Sequence, residues 1–354
     1  MIASPIERIP PKLYGGTERV ISALTEELVY LGHDVTLFAS ADSQTSAKLV
    51  ATFQKPLREA YPSSREVMKR IQETLLHLGN AYAKQDQFDI IHDHTSYFGL
   101  SYAQSSRTPV VSTIHGCLSA ESISLYEKFS KPYLVTISQS QQYPAQNLNY
   151  IATVYNGLAM HHYPFSFTHK GYLLAVGRMC EEKGIHNAIT IAEKTHLPLL
   201  IAAKLEERNM EYFQKYIKPR LTKKIRWIGE VNERERNELM KNALCFLHPL
   251  EWDEPFGLTI IESMSCGTPV ITFDKGSMRE IIQDTKTGFI AKDIDDAVSC
   301  LRKIDTIDRQ YCRSYSLKNF NSKKMAREYE SIYTSIINAE QYQQPSYSWK
   351  RQYV

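Results

Sequence analysis

Apolar runs and amphipathic stretches alternate along the first half of the chain. After a Gly-Gly pair, apolar residues recur at the spacing of one helix face from Val20 to Leu28, and the pattern predicts a helix there. Further on, strands are predicted at 35–39, 88–92, 109–114 and 133–138, and a long helix at 64–85. Strands and helices that follow one another in this way indicate an α/β domain built on a parallel sheet.

A second series of the same kind follows residues 156–170. This segment holds Asn156-Gly157 and Pro164 but few long aliphatic side chains, so we interpret it as a linker between two domains. Buried strands are then predicted at 172–176, 198–202, 225–227, 245–247 and 270–273. We expect an N-terminal domain, a C-terminal domain, a helix that packs back on the first domain, and a tail whose Gln, Tyr and Ser content favours disorder: 1–160, 161–322, 323–340 and 341–354.

Composition and charge narrow the classes of function. The chain has 354 residues, 43% of them hydrophobic, which is enough for two buried cores. Its formal net charge of +3 is too small to predict a nucleic-acid partner. The charge is compatible with anionic small molecules and with weak peripheral contact at an acidic membrane surface.

Sequence features also bear on the compartment. No apolar run reaches the about 18 residues of a membrane-spanning helix, and the start of the chain lacks the basic and apolar regions of a signal peptide. The six cysteines form no Cys-x-x-Cys pair, which favours free thiols over zinc or disulfides. We therefore expect a cytoplasmic protein, with the cytoplasmic face of a membrane as a second location.

The stretch from Glu254 to Pro269 is the most informative segment for predicting the ligand that the protein binds. Glu254 and Glu262 stand eight positions apart, and Gly257 lies between them at a turn that leads into a helix. The helix is expected to end near Gly267, because Pro269 blocks its continuation. Free amides at a helix start bind anions, so two carboxylates beside such a start suit a sugar attached to a phosphate.

Two further turns offer anion contacts. Arg178 and Lys183 follow a predicted strand on the turn into a helix, where a guanidinium and an ammonium suit a diphosphate. In isolation, such a pair is more typical of a solvated surface. Gly15 and Gly16 precede a helix start, which is equally compatible with phosphate contact and with a plain turn. Neither turn contains the glycine motif of a dinucleotide-binding site or of a Walker loop, so the sequence does not favour a dehydrogenase or a P-loop enzyme.

Histidines end two of the predicted strands. His115 lies where ligands bind in open α/β sheets and is a candidate contact to a sugar hydroxyl, with a structural role as the alternative. His92-Asp93-His94 resembles part of a metal site but lacks a third ligand at a clear spacing, which favours crevice lining or packing. We predict no metal site.

These motifs, in this order, resemble the retaining glycosyltransferases of family 4. The resemblance covers about residues 10–335, and its motifs are specific for the family but not for a substrate. The matching segments are Gly15-Gly16-Thr17-Glu18, His115-Gly116, Val154-Tyr155-Asn156-Gly157, Gly177-Arg178, Glu182-Lys183-Gly184, the Glu254–Glu262 pair and Gly288-Phe289.

The resemblance implies the GT-B fold, in which two Rossmann-like domains face each other across a cleft. It also implies transfer of a hexosyl group from a nucleotide-diphosphate sugar to a hydroxyl of a glycan, a lipid or a small molecule, with retained anomeric configuration and no metal cofactor. UDP-glucose is the first choice of donor, on family frequency only. The implied catalytic residues are Arg178, Lys183, Glu254 and His115. The implied donor-binding residues are Gly15, Gly16, Phe256, Gly257, Leu258 and Glu262.

Two departures and two alternatives accompany this hypothesis. Only Met1-Ile2-Ala3 is available for the first strand, and Arg279 stands where the family commonly has a small residue or Pro, which is expected to alter the fit of the donor. The alternatives are a nucleotide-sugar epimerase and a silent nucleotide-sugar-binding protein. The sequence does not identify the acceptor; the candidate segments for contacting it are 42–66 and 117–131.

Overall fold

The computed structural model describes residues 1–13, 15–63 and 66–343. It divides most of the chain between two parallel sheets, each flanked by helices. Of the tail that we expected to be disordered, residues 344–354 lie outside the described part of the chain.

Parallel strands form the N-terminal sheet. They are β1 (Thr36–Ala39), β2 (Lys48–Ala51), β3 (Ile91–Asp93), β4 (Val110–Ile114), β5 (Tyr133–Thr136) and β6 (Tyr150–Thr153). Ile2 bridges Phe38 of β1 and Asp93 of β3, so it joins the β2-β1 pair to the β3-β4-β5-β6 group. The expected first strand is thus reduced to a single bridging residue. The accompanying helices are α1 (Gly16–Tyr30), α2 (Leu57–Ala60), α3 (Val67–Tyr82), α4 (Leu100–Ser105) and α5 (Ala120–Lys128).

The C-terminal sheet has six parallel strands in the order β12-β11-β10-β7-β8-β9. These are β7 (Leu173–Arg178), β8 (Leu199–Lys204), β9 (Ile225–Gly229), β10 (Cys245–His248), β11 (Val270–Phe273) and β12 (Gly288–Ala291). The strand order reverses between β7 and β10, and ligands of such sheets bind at the carboxyl ends of the strands beside this reversal. The helices are α6 (Ile185–Thr195), α7 (Met210–Tyr212), α8 (Glu233–Asn242), α9 (Leu258–Ser265), α10 (Met278–Ile281), α11 (Ile294–Leu301), α12 (Arg309–Asn319) and α13 (Ser322–Gln343).

The sequence did not predict three of the strands, and all three lie at the edge of a sheet: β2, β6 and β12. In β2 and β6 no residue is fully buried, so neither strand needs the apolar run by which we recognised the inner strands. The predicted strand at 88–92 is also displaced, because pairing begins only at Ile91.

The last described helix, α13, lies on the N-terminal sheet side of the molecule. It packs against α1, and His33 just beyond α1 contacts Glu330 at 2.9 Å. At the start of α13, Ser322 donates a hydrogen bond to Glu27 of α1 at 2.7 Å. The largest apolar cluster runs from Val20 on α1 to the strands of the C-terminal sheet, so the two domains share one continuous core.

Candidate active site

A cavity of about 340 Å³ opens between the two sheets. Its walls include the carboxyl ends of β7 and β10 and the segments that follow β4 and β5. The cavity brings together all ten residues that the sequence singled out. The N-terminal domain supplies Gly15, Gly16 and His115, and the C-terminal domain supplies Arg178, Lys183, Glu254, Phe256, Gly257, Leu258 and Glu262.

The basic pair lies on the turn between β7 and α6. Arg178 ends β7 and donates to Glu182 at 3.2 Å. Lys183 contacts the Glu254 carboxylate, and its ammonium lies 4.9 Å from the centroid of the Trp252 ring. Trp252 Nε1 donates to the same carboxylate at 3.1 Å. The Lys183 and Glu254 side chains are each only 11% exposed, so this cation and carboxylate meet where water screens them little.

Gly184 fixes the position of this turn. Its φ is 63°, in the left-handed region that favours glycine, and it sits directly before the first residue of α6. A Cβ placed on it would lie 1.8 Å from the carbonyl oxygen of Pro249. The loop after β10, which carries Glu254, is therefore held against the turn that carries Lys183.

Gly184→Ala is expected to lower the free energy of unfolding by more than the about 1–2 kcal/mol of the left-handed conformation alone, because the backbone of Pro249 must also move. Gly171→Ala is the matched control: Gly171 has a φ of 74° and nothing within 4 Å of an added Cβ, so it incurs only the conformational cost. Urea denaturation of both variants measures the difference. Equal losses would show that the contact with Pro249 contributes nothing.

Gly257 directly precedes the first residue of α9, with a φ of 92°. The amides in the first turn of a helix have no intrahelical acceptor, and Leu258 and Thr259 in that turn line the cavity. Gly16 approaches from the opposite domain, since a Cβ on it would lie 3.2 Å from the Leu258 side chain. Two helix starts, those of α1 and α9, therefore meet at one point, and both favour an anion.

Glu262 is fully buried on α9 and is held by two arginines. One of its oxygens contacts Arg19 of α1, accepts from Arg236 of α8 at 2.7 Å and lies 3.3 Å from the Tyr163 hydroxyl. Burial alone would raise the pKa of Glu262, but Arg19 and Arg236 outweigh it and hold that pKa below its usual range. The other carboxylate oxygen has no hydrogen-bond partner within residues 1–13, 15–63 and 66–343, so it can accept one from a ligand.

Histidines form a chain of contacts behind the cavity. His115 Nε2 lies 2.9 Å from Nδ1 of His94, and the centroid of the His94 ring lies 3.9 Å from that of His92, with the two rings tilted by 36°. Both nitrogens of His92 are engaged, by Thr113 at 2.7 Å and by Tyr333 of α13 at 2.6 Å. Burial lowers the pKa of His115 to about 4 and that of His92 and His94 well below the usual value, so all three are neutral at pH 7.

The metal-like triplet is thus divided among separate partners. Asp93 accepts from Tyr82 at 2.7 Å and from the Thr95 hydroxyl at 2.6 Å, whereas His92 and His94 contact other groups. Across residues 1–13, 15–63 and 66–343, no group of three His, Cys, Asp or Glu side chains is arranged to hold a metal ion. Of the two roles expected for the triplet, crevice lining and packing, the structure favours packing.

Comparison with known proteins decides the family. A model described as "Glycosyltransferase Family 4" matches residues 14–154, and one described as "Glycosyl transferases group 1" matches residues 164–314. The chain belongs to this glycosyltransferase family. It is 25% identical to the glycogen synthase of Mycobacterium tuberculosis, over 79% of either chain.

Solved structures give the fold of this group 1 glycosyltransferase. Sucrose-phosphate synthase from Thermosynechococcus elongatus superposes with a TM-score of 0.78 at 16% identity, covering 96% of this chain and 98% of that one. HepE of Anabaena, solved with UDP-glucose, gives a TM-score of 0.70 at 16% identity, covering 91% and 96%. The expected GT-B fold is confirmed. Within the described residues, no helix of the glycosyltransferase is both long and apolar enough to cross a membrane.

Sequence reasoning missed the residues that join the two domains of the glycosyltransferase. Arg19 reaches Glu262 across the cleft, Arg58 lies 3.4 Å from Glu206, and Glu280 accepts from the amides of residues 139 and 140 at 2.8 Å. Arg19 follows the glycine loop directly, and that position was the one available signal. Arg279, expected to alter the fit of the donor, does not line the cavity; its exposed side chain pairs with Asp274.

Proposed function

We propose that this glycosyltransferase transfers a hexosyl group from a nucleotide-diphosphate sugar to an acceptor hydroxyl and retains the anomeric configuration. The observation that carries the proposal is the shared cavity, which is lined by Arg178, Lys183 and the first turn of α9 together with the carboxylates Glu254 and Glu262. The anionic diphosphate belongs against the cations and amides, and the hydroxyl-bearing sugar and ribose belong against the carboxylates.

In this arrangement the diphosphate is the leaving group. Negative charge grows on it as the bond to the anomeric carbon breaks, and donors already fixed in place stabilise that charge without reorganising. Arg178 and Lys183 lie on one short turn, and the amides of Phe256, Gly257 and Leu258 come from the start of α9. Gly16 completes the diphosphate site from the other domain.

Each carboxylate has a separate proposed task. The unpartnered oxygen of Glu262 accepts from a ribose hydroxyl, since the Arg19 and Arg236 contacts leave it free and charged. Glu254 orients hydroxyls of the donor sugar beside Lys183. His115 is neutral, and no described residue hydrogen-bonds its Nδ1, so it suits a sugar hydroxyl rather than a charge.

We propose retention from the family resemblance, and the site bears on how it is achieved. In retaining glycosidases a second carboxylate attacks it. Glu262 is committed to its two arginines and Glu254 to Lys183 and Trp252, so we assign neither as a nucleophile. A front-face substitution, in which the departing phosphate takes the proton of the acceptor hydroxyl, accounts for retention without one. Contact between the domains would exclude water and limit hydrolysis.

We propose that no metal is required, because Arg178 and Lys183 supply the positive charge at the diphosphate. One Asp-x-Asp sequence does occur, at Asp293 and Asp295, and such pairs hold metals in other glycosyltransferases. Here Asp293 caps α11 by accepting from an amide at 2.9 Å, Asp295 pairs with Lys194 on the surface, and neither lines the cavity.

The donor and the compartment complete the proposal. UDP-glucose is our first donor, supported by the likeness to HepE, which was solved with that nucleotide sugar. All six cysteines are unpaired, which supports a reducing compartment such as the cytoplasm. Glycans, lipids and small molecules all remain candidate acceptors.

Thermal stabilisation by a panel of nucleotide sugars, followed by NMR of the products, tests the proposal. UDP-glucose is expected to raise the melting temperature, and transfer is expected to give an α-linked product at an undiminished rate in EDTA. An inverted anomeric centre or a strict need for Mn²⁺ would contradict the mechanism. Conversion of the donor sugar without an acceptor would indicate an epimerase, and stabilisation without any turnover would indicate a silent binding protein.

A further inference from the structure

A second cavity, of about 230 Å³, adjoins the first and shares Glu7, Leu13 and Arg58 with it. Four cationic side chains line this second cavity against two carboxylates. The cations are Arg8, Lys12, Arg58 and Lys204, and the carboxylates are Glu7 and Glu59.

The carboxylates in this lining are already paired. Glu7 accepts from Arg58 at 2.7 Å, and Arg58 also reaches Glu206 of the C-terminal domain at 3.4 Å. Glu59 has its closer partner in Lys55, at 3.2 Å, on the outer surface. The close contacts of these two carboxylates therefore go to Arg58 and Lys55, and not to the other three cations of the cavity.

Three of the cations can still donate hydrogen bonds to a ligand. Lys12 lies 4.0 Å from Glu59, and Lys204 lies 3.9 Å from Glu230, both beyond hydrogen-bond distance. Arg8 has no ion pair among the described residues, and none of them accepts a hydrogen bond from its buried Nε. A buried donor without an acceptor is costly, and more so on a charged group. The cavity is therefore built to receive an anion.

We propose that this cavity binds an anionic group of the acceptor, a phosphate or a carboxylate. The inference rests on the proposed function and names the chemical class of its acceptor. The anion would lie against Arg8, Lys12 and Lys204, and the reacting hydroxyl would extend past Glu7 into the donor cavity. Because Lys204 ends β8 whereas Arg8 and Lys12 belong to the first domain, such an acceptor would also hold the two domains together.

Binding of simple anions with the donor site filled by UDP tests the cavity itself. Inorganic phosphate and acetate, titrated by calorimetry, separate the two sources of negative charge. We expect at least one of them to bind the wild type, and Arg8→Gln to weaken it about tenfold or more. Lys12→Ala is expected to weaken it about threefold; its side chain is 64% exposed, so this variant serves if Arg8→Gln does not fold.

Lys55→Ala is the matched control. Lys55 pairs with the same Glu59 and is 65% exposed, but it does not line the cavity. The affinity of the Lys55→Ala variant for phosphate should therefore match that of the wild type. Failure of both anions to bind, or equal affinity in Lys12→Ala, Arg8→Gln and Lys55→Ala, would overturn the proposal.

A transfer assay ties the cavity to the acceptor. UDP release from UDP-glucose is measured with glucose, glucose 6-phosphate and glucuronate, in the wild type and in Lys12→Ala. We expect an anionic sugar to stimulate release more than glucose does, with the advantage reduced in the variant. Donor binding and slow hydrolysis without any anionic advantage would overturn this inference and leave the proposed function standing. Absence of donor binding would instead refute the proposed function.

Discussion

Lys183→Ala is expected to lower kcat by about 10²–10³-fold, which corresponds to about 3–4 kcal/mol of barrier. The ammonium lies in the donor cavity beside Glu254, and both side chains are nearly buried. In the variant, bulk water therefore cannot stabilise the leaving phosphate in place of the lost positive charge. The fold should survive, because Trp252 still donates to Glu254. The measurement is turnover at saturating UDP-glucose, with circular dichroism to verify folding.

Lys194→Ala provides the comparison for loss of a lysine on the same domain. Lys194 pairs with Asp295 on the surface and does not line the cavity, so its kcat should stay within about twofold of the wild type. If Lys183→Ala turned over at a near-normal rate while correctly folded, Lys183 would have no part in stabilising the leaving group.

Glu262→Gln is expected to lower the free energy of unfolding by about 3–5 kcal/mol and to weaken UDP binding. The substitution removes the fully buried negative charge that both Arg19 and Arg236 contact. Two guanidinium groups, whose side chains are 11% and 9% exposed, then keep only the more distant and more exposed Glu233 as a shared counter-charge. Urea denaturation and UDP calorimetry measure the two effects.

Glu233→Gln tests whether burial is the cause. Glu233 lies 3.5 Å from Arg19 and 4.0 Å from Arg236, but its side chain is 46% exposed, so its loss should cost less than about 1 kcal/mol. Similar losses in the two variants would mean that net charge, and not the buried position of Glu262, stabilises the arginines.

Local sequence predicted the parts of the site that lie on turns. The segment from Glu254 to Gly267 folds as expected, with Gly257 at the start of α9 and Gly267 just beyond its end. The turn with Arg178 and Lys183 was likewise readable, since a strand precedes it and a helix follows. Both motifs stay within one short stretch of chain, where turn residues and apolar spacing determine the structure.

Contacts between distant segments could not be predicted in the same way. A buried carboxylate needs compensating charge, but nothing in the sequence around Glu262 shows that the charge comes from Arg19, in the other domain, and from Arg236 on α8. The second cavity depends equally on the closeness of residues 8, 12, 58 and 204. Such pairings arise from tertiary packing, which no local pattern encodes.

The tyrosines of α13 have a consequence for the order in which this protein can mature on the ribosome. His92 is buried against Tyr329 and Tyr333, yet the ribosome makes the whole C-terminal sheet between β6 and α13. At about 5–20 residues per second, that interval lasts on the order of ten seconds or more. Throughout it, the nascent N-terminal domain lacks the tyrosines of α13 that cover His92 in the folded protein. The first domain to be synthesised is therefore among the last to be completed.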